Sequence, residues 1–163
     1  MGMTIECYSA EPQEILALFS VRNESGDFDS FFEKLETYPV ADFSFHLHIP
    51  EDMDSMCQAL RKHNGLVPPT FSELLVEQLW YDGIAESLTL LNNTFTLALA
   101  GMSASEIEQV ALDWATTFPS QGPLQQTPAY KSLLQLREVA LDTVAQTKSL
   151  LFYLEGKPAF FRW

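Results

Sequence analysis

From residue 42 to residue 49 polar and apolar side chains alternate without a break. Phe43, Phe45, Leu47 and Ile49 fall on one side, and Asp42, Ser44, His46 and His48 on the other. A period of two predicts a half-buried strand, closed by Pro50. Residues 4–9 read as a second short strand. Pro12 suits the first turn of a helix running to about Val21, with Ile15, Leu16, Leu18 and Phe19 apolar. Asn23-Glu24-Ser25-Gly26 breaks it, and Phe28, Phe31, Phe32 and Leu35 then repeat at helical spacing. Glu51, Asp52 and Asp54 open another helix, where negative charge complements the dipole. Basic side chains and Gly65 end it.

Thr70-Phe71-Ser72-Glu73 has the form of a capping box. It predicts a helix carrying Phe71, Leu74, Leu75 and Leu79 that stops near Asp82-Gly83. Residues 88–97 read as a hairpin about Asn92-Asn93, with Leu90 opposite Phe95 and Leu88 opposite Leu97. A helix through residues 97–100 stays open as the alternative. Ser103-Ala104-Ser105-Glu106 is a second capping box, and Ile107, Val110, Ala111, Trp114, Ala115 and Phe118 form one stripe behind it. Thr127 and Pro128 can start the next helix. Its apolar face includes Tyr130, Leu133, Leu134, Leu136, Val139, Ala140, Leu141 and Val144, wide enough for a helix packed on two sides. Residues 150–154 and 159–163 read as two strands around Gly156-Lys157. Strands and helices interleave without regular alternation. The expected class is α+β: one domain over residues 1–163, with amphipathic helices packed on a mixed or antiparallel sheet.

Composition adds limits. Hydrophobic residues make up 47% and charged residues 19%, the opposite of a disordered chain. No apolar run reaches the roughly 18 residues of a membrane span, and residues 1–6 lack the pattern of a secretory signal. Two cysteines, Cys7 and Cys57, are too few for a disulfide framework and fit a reducing, cytoplasmic setting. The net charge is −13, and residues 63–130 hold seven acidic side chains with no Lys or Arg. Such a balance argues against nucleic acid and anionic membrane surfaces as partners, because both demand clustered cations.

Candidate chemistry is sparse. His46 and His48 project from one face of the expected strand, a spacing that lets one divalent metal meet two imidazoles, although no third ligand is apparent. Trp80-Tyr81-Asp82 places two aromatics beside a helix end, where they would floor a ligand site. Trp163, on a terminal edge strand, would pair with another chain. Phosphate-binding glycine loops, a nucleophile elbow, C-x-x-C and H-E-x-x-H are all missing from the sequence.

The opening Met1-Gly2-Met3, then Glu11-Pro12-Gln13-Glu14-Ile15-Leu16-Ala17-Leu18-Phe19, resembles the start of the YfbM-like family of small bacterial proteins of unknown function. The helix through Ala140 and Ala145, followed by Leu150-Leu151-Phe152-Tyr153-Leu154, is similar to that family's end. The likeness covers about a quarter of the chain and lacks the family's Asp-Lys-x-Trp stretch. It implies an α+β domain and transfers no catalytic residue.

The leading expectation is an acidic, non-catalytic interaction module that binds a basic protein partner and needs no cofactor. Homo-oligomerisation is left open. The alternative is a small metal-dependent hydrolase using His46 and His48, and a third reading is a small-ligand site at Trp80 and Tyr81.

Overall fold

Leu150-Leu151-Phe152-Tyr153-Leu154 are five consecutive apolar residues, and all five are buried. A strand can bury both of its faces only in the middle of a sheet covered on both sides. That is where the computed structural model, which describes residues 3–120 and 122–156, places them. Strand β1 (Thr4–Ala10) is followed by α1 (Pro12–Ser25), α2 (Phe28–Leu35), β2 (Val40–Asp42), α3 (Glu51–Arg61) and α4 (Phe71–Leu74). Then come β3 (Leu75–Tyr81), β4 (Glu86–Leu91), α5 (Asn93–Gly101), α6 (Ala104–Ala115), α7 (Pro128–Ala145) and β5 (Ser149–Glu155). The strands form one antiparallel sheet in the order β2-β1-β5-β4-β3. The fold is α+β, as the sequence predicts.

Each sheet face has its own core. On one face Ile5, Cys7, Leu150, Phe152 and Leu154 pack with side chains of α3 and α5 to α7. Trp114 is fully buried here and donates its indole N–H to the Asp52 carbonyl at 3.0 Å. On the other face Tyr8, Ala10, Leu88, Leu151 and Tyr153 pack with Ile15, Phe19, Phe31 and Leu35 of α1 and α2.

Local signals account for most helix ends. Gly26, at φ 72°, closes α1 in the left-handed conformation that glycine adopts without penalty. The Ser103–Glu106 capping box forms reciprocally at the start of α6. Thr127 caps α7, with Pro128 in its first turn.

Four predicted elements come out differently. The Thr70 side chain makes no cap hydrogen bond; α4 lasts four residues, and the chain then extends into β3. Val76 and Tyr81 within that run favour the strand, and the partner β4 decides the matter. The hairpin turn is not Asn92-Asn93 but residues 82–85. Asp82 Oδ1 accepts the N–H groups of Ile84, Ala85 and Glu86 at 2.8, 2.8 and 3.0 Å, and Gly83 takes φ 83°. Asn92 instead caps α5, its side chain accepting the Thr94 N–H at 2.8 Å, and the helix left open for residues 97–100 begins earlier, at Asn93, and runs to Gly101.

The fourth difference concerns residues 42–49. Ladder pairing stops at Asp42. Beyond it Phe45 N–H donates to the Phe43 carbonyl at 2.8 Å, and Leu47 N–H to the Phe45 carbonyl at 2.7 Å, each a three-residue turn. The backbone serves itself in place of a neighbouring strand. Side-chain alternation survives: Phe43 and Leu47 are buried, while Ser44, His46 and His48 are exposed. The expected strand at residues 159–163 lies outside the described residues.

Candidate functional site: an acidic groove beside an open sheet edge

The wide apolar face of α7 is covered only in part. Leu133, Leu136, Val139 and Ala140 are buried, whereas Tyr130 and Leu134 are half-buried and Val144 is exposed. Tyr130, Leu134 and Val139 help floor a groove of about 650 Å³ between α7, the start of α6 and the Pro39–Val40 segment. Ala104, Ile107, Pro39 and Val40 complete its apolar lining. The volume falls in the range of binding clefts.

Three carboxylates rim it: Glu108, Glu138 and Asp142. Asp142 accepts the Ser9 hydroxyl at 2.7 Å, and Glu108 accepts the Tyr130 hydroxyl at 3.3 Å. Local desolvation, with the Glu108 charge and hydrogen bond behind it, holds the Tyr130 phenol above its ordinary pKa. The one cation among the lining residues, Arg137, is already engaged. Its Nε donates to the Met102 carbonyl at 2.9 Å, and its guanidinium pairs with Glu138 at 3.2 Å. The groove is apolar below and negative above.

Edge strand β2 forms one wall. Ser9 N–H donates to the Pro39 carbonyl, and Phe43 N–H to the Ile5 carbonyl. Odd-numbered residues of this wall therefore bond to β1, and the backbone groups of Val40 and Asp42 point outward. At Asp42 helix α7 covers them: its N–H donates to Gln135 Oε1 at 3.2 Å, and its carbonyl accepts the Ser132 hydroxyl. No comparable side chain reaches Val40 among the described residues.

The described residues among those singled out from sequence lie elsewhere. His46 and His48 are both exposed. The polar residues before them are engaged locally: Asp42 Oδ1 accepts the Ser44 N–H at 2.7 Å, and Ser44 Oγ accepts the Ile5 N–H at 2.9 Å. His46 borders a separate cleft with Phe45, Phe118 and Pro128. Among the described residues no three His, Cys, Asp or Glu side chains are grouped to hold a metal. Trp80 stacks on Phe19 with centroids 5.3 Å apart and donates its indole N–H to Glu86 at 3.2 Å. Tyr81 is exposed, and the Asp82 carboxylate is engaged in its own turn. Trp163 lies outside the described residues.

A buried ionic cluster also escaped the sequence reading. Arg22 on α1 makes a two-pronged pair with Glu86 on β4, at 2.7 and 2.5 Å. The side chains are 4% and 8% exposed. Tyr153 donates to Glu86 at 3.0 Å. The guanidinium carbon lies 4.5–5.2 Å from the ring centroids of Phe19, Phe28 and Phe31. One signal pointed to it: Arg22 continues the Ile15–Phe19 stripe, where a charge implies a buried partner.

Fold and groove together define an antiparallel α+β protein with an acidic cleft at one sheet edge. No protein-family model, curated protein or solved structure matches the chain. Among the described residues no helix is long and apolar enough to cross a membrane.

Proposed function

We propose that this protein is an interaction module whose α6–α7 groove receives a basic segment of a protein partner. One observation carries the reading: an apolar groove of about 650 Å³ has three carboxylates on its rim, and its single cation is held by Met102 and Glu138. Apolar side chains of the partner fill the floor, and flanking Lys or Arg side chains meet Glu108 and Glu138. The net charge of −13 draws a cationic partner in from a distance and makes association salt-dependent. The hydrolytic alternative gains no support from the geometry, since among the described residues His46 and His48 lack a grouped third donor. Kinship with the YfbM-like family stays a proposal and adds no site residue.

The test is fluorescence anisotropy with labelled Lys/Val peptides at low and moderate salt. Exposed ion pairs contribute about 0.2–1 kcal/mol each, so the double substitution Glu108→Gln/Glu138→Gln should weaken binding about two- to thirtyfold. Salt should weaken the native protein more than the variant. Equal affinities for the two proteins would refute the groove as the binding surface.

A further inference from the structure

We infer that the partner segment binds as an added β-strand, pairing its backbone with Val40 on the open edge of β2; this rests on the function proposed above. Among the described residues the sheet has two outer edges, and they differ. Strand β3 is interrupted by register shifts between Leu75 and Glu77 and again between Gln78 and Trp80. Such irregularities spoil a continuous template for another strand. Strand β2 is short and regular, with Val40, Ala41 and Asp42 paired in step to Tyr8, Cys7 and Glu6.

On β2 the outward groups at Asp42 are covered by Gln135 and Ser132, while those at Val40 meet no partner among the described residues and lie beside the groove. An extended peptide there gains one backbone pair with Val40 and stops where Gln135 blocks further pairing. Alternation along a strand then sorts its side chains, apolar ones toward Leu134 and Val139 and the others toward solvent and the carboxylate rim. Charge favours a basic segment over a second copy of this chain, whose own net charge is −13.

The probe is the capped heptapeptide Lys-Val-Lys-Val-Lys-Val-Lys, added to the full chain while amide hydrogen exchange is followed by NMR. With saturating peptide the Val40 amide should exchange at least tenfold more slowly, and the Ala41 amide, already facing β1, should change little. Two further peptides carry N-methyl groups on all valine or all lysine amides. One set should lose at least tenfold in affinity and the other should keep it. Binding with Val40 exchange unchanged, or with both methylated peptides equally tight, overturns strand pairing and leaves the groove reading standing. Absence of binding by any of the peptides overturns both.

Discussion

Replacing Arg22 by Met removes the guanidinium from a carboxylate that stays buried. Glu86 accepts four hydrogen bonds, two from Arg22, one from Trp80 and one from Tyr153. The substitution leaves two neutral donors facing a full charge, with the side chain only 8% exposed. Losing one member of a buried pair costs about 3–5 kcal/mol. Methionine keeps part of the packing on Phe19 and Phe31, so the charge is what the change chiefly tests. For a chain of this size each kcal/mol lowers the melting temperature by about 2–4 °C, which makes the expected drop about 6–20 °C. Thermal and urea unfolding followed by circular dichroism reads it. Arg22→Met/Glu86→Leu removes both charges, and apolar replacement of a whole pair is often close to neutral. The double variant should be more stable than Arg22→Met alone. A loss below about 1 kcal/mol for Arg22→Met, or a double variant as unstable as the sum of the singles, would refute the reasoning.

Ser103→Ala breaks the capping box of α6, where Ser103 Oγ accepts the Glu106 N–H at 3.2 Å and Glu106 accepts the Ser103 N–H at 2.8 Å; thermal melts should show a loss of about 1 kcal/mol, and Ser103→Gly only a few tenths. Asp82 is pushed up by burial, but N–H donors of Glu86, Ile84 and Ala85 outweigh this and hold its carboxyl below the ordinary 3.8. Its contribution is therefore complete above pH 3.8 and lost as pH falls through the lower folded-state value; Asp82→Asn should flatten that part of the acid-unfolding curve. The Cys57 thiol is pushed up to about 12 by burial, with the Asp54 charge adding to it, and Cys7 is raised further by burial beside Glu6. A thiol reagent at pH 8 should label neither cysteine in the folded protein and both in denaturant; rapid native labelling would contradict the burial.

The outer helices were legible because their signals are local. Glu51 to Arg61, the Ser103 box and Thr127-Pro128 each carry a start or stop within a few residues of the chain. Residues 71–81 were not, because Leu74, Leu75 and Leu79 suit a helix and only the partner strand β4 makes them extended. Asn92-Asn93 has the chemistry of a turn and of a helix cap alike, and the packing of Phe95, Ala98 and Leu99 chooses the cap. Residues 43–49 show the limit of a period-two pattern: it fixes which side chains go inside, and says nothing of what the backbone pairs with. The groove stayed hidden for a related reason. Tyr130, Leu134 and Val139 read as core on α7, and apolar residues bordering a cleft carry the same pattern as apolar residues filling one.

The central strand β5 is also the last element in chain order among the described residues, and it joins a β1–β2 pair to a β3–β4 pair. During synthesis those two pairs wait, each with an inward edge unsatisfied, until the seam strand Ser149–Glu155 follows them. Native helices can form earlier, but neither sheet face can be completed. A chain released before Ser149 would present two unpaired edges to its neighbours and would be far more prone to associate than the finished protein.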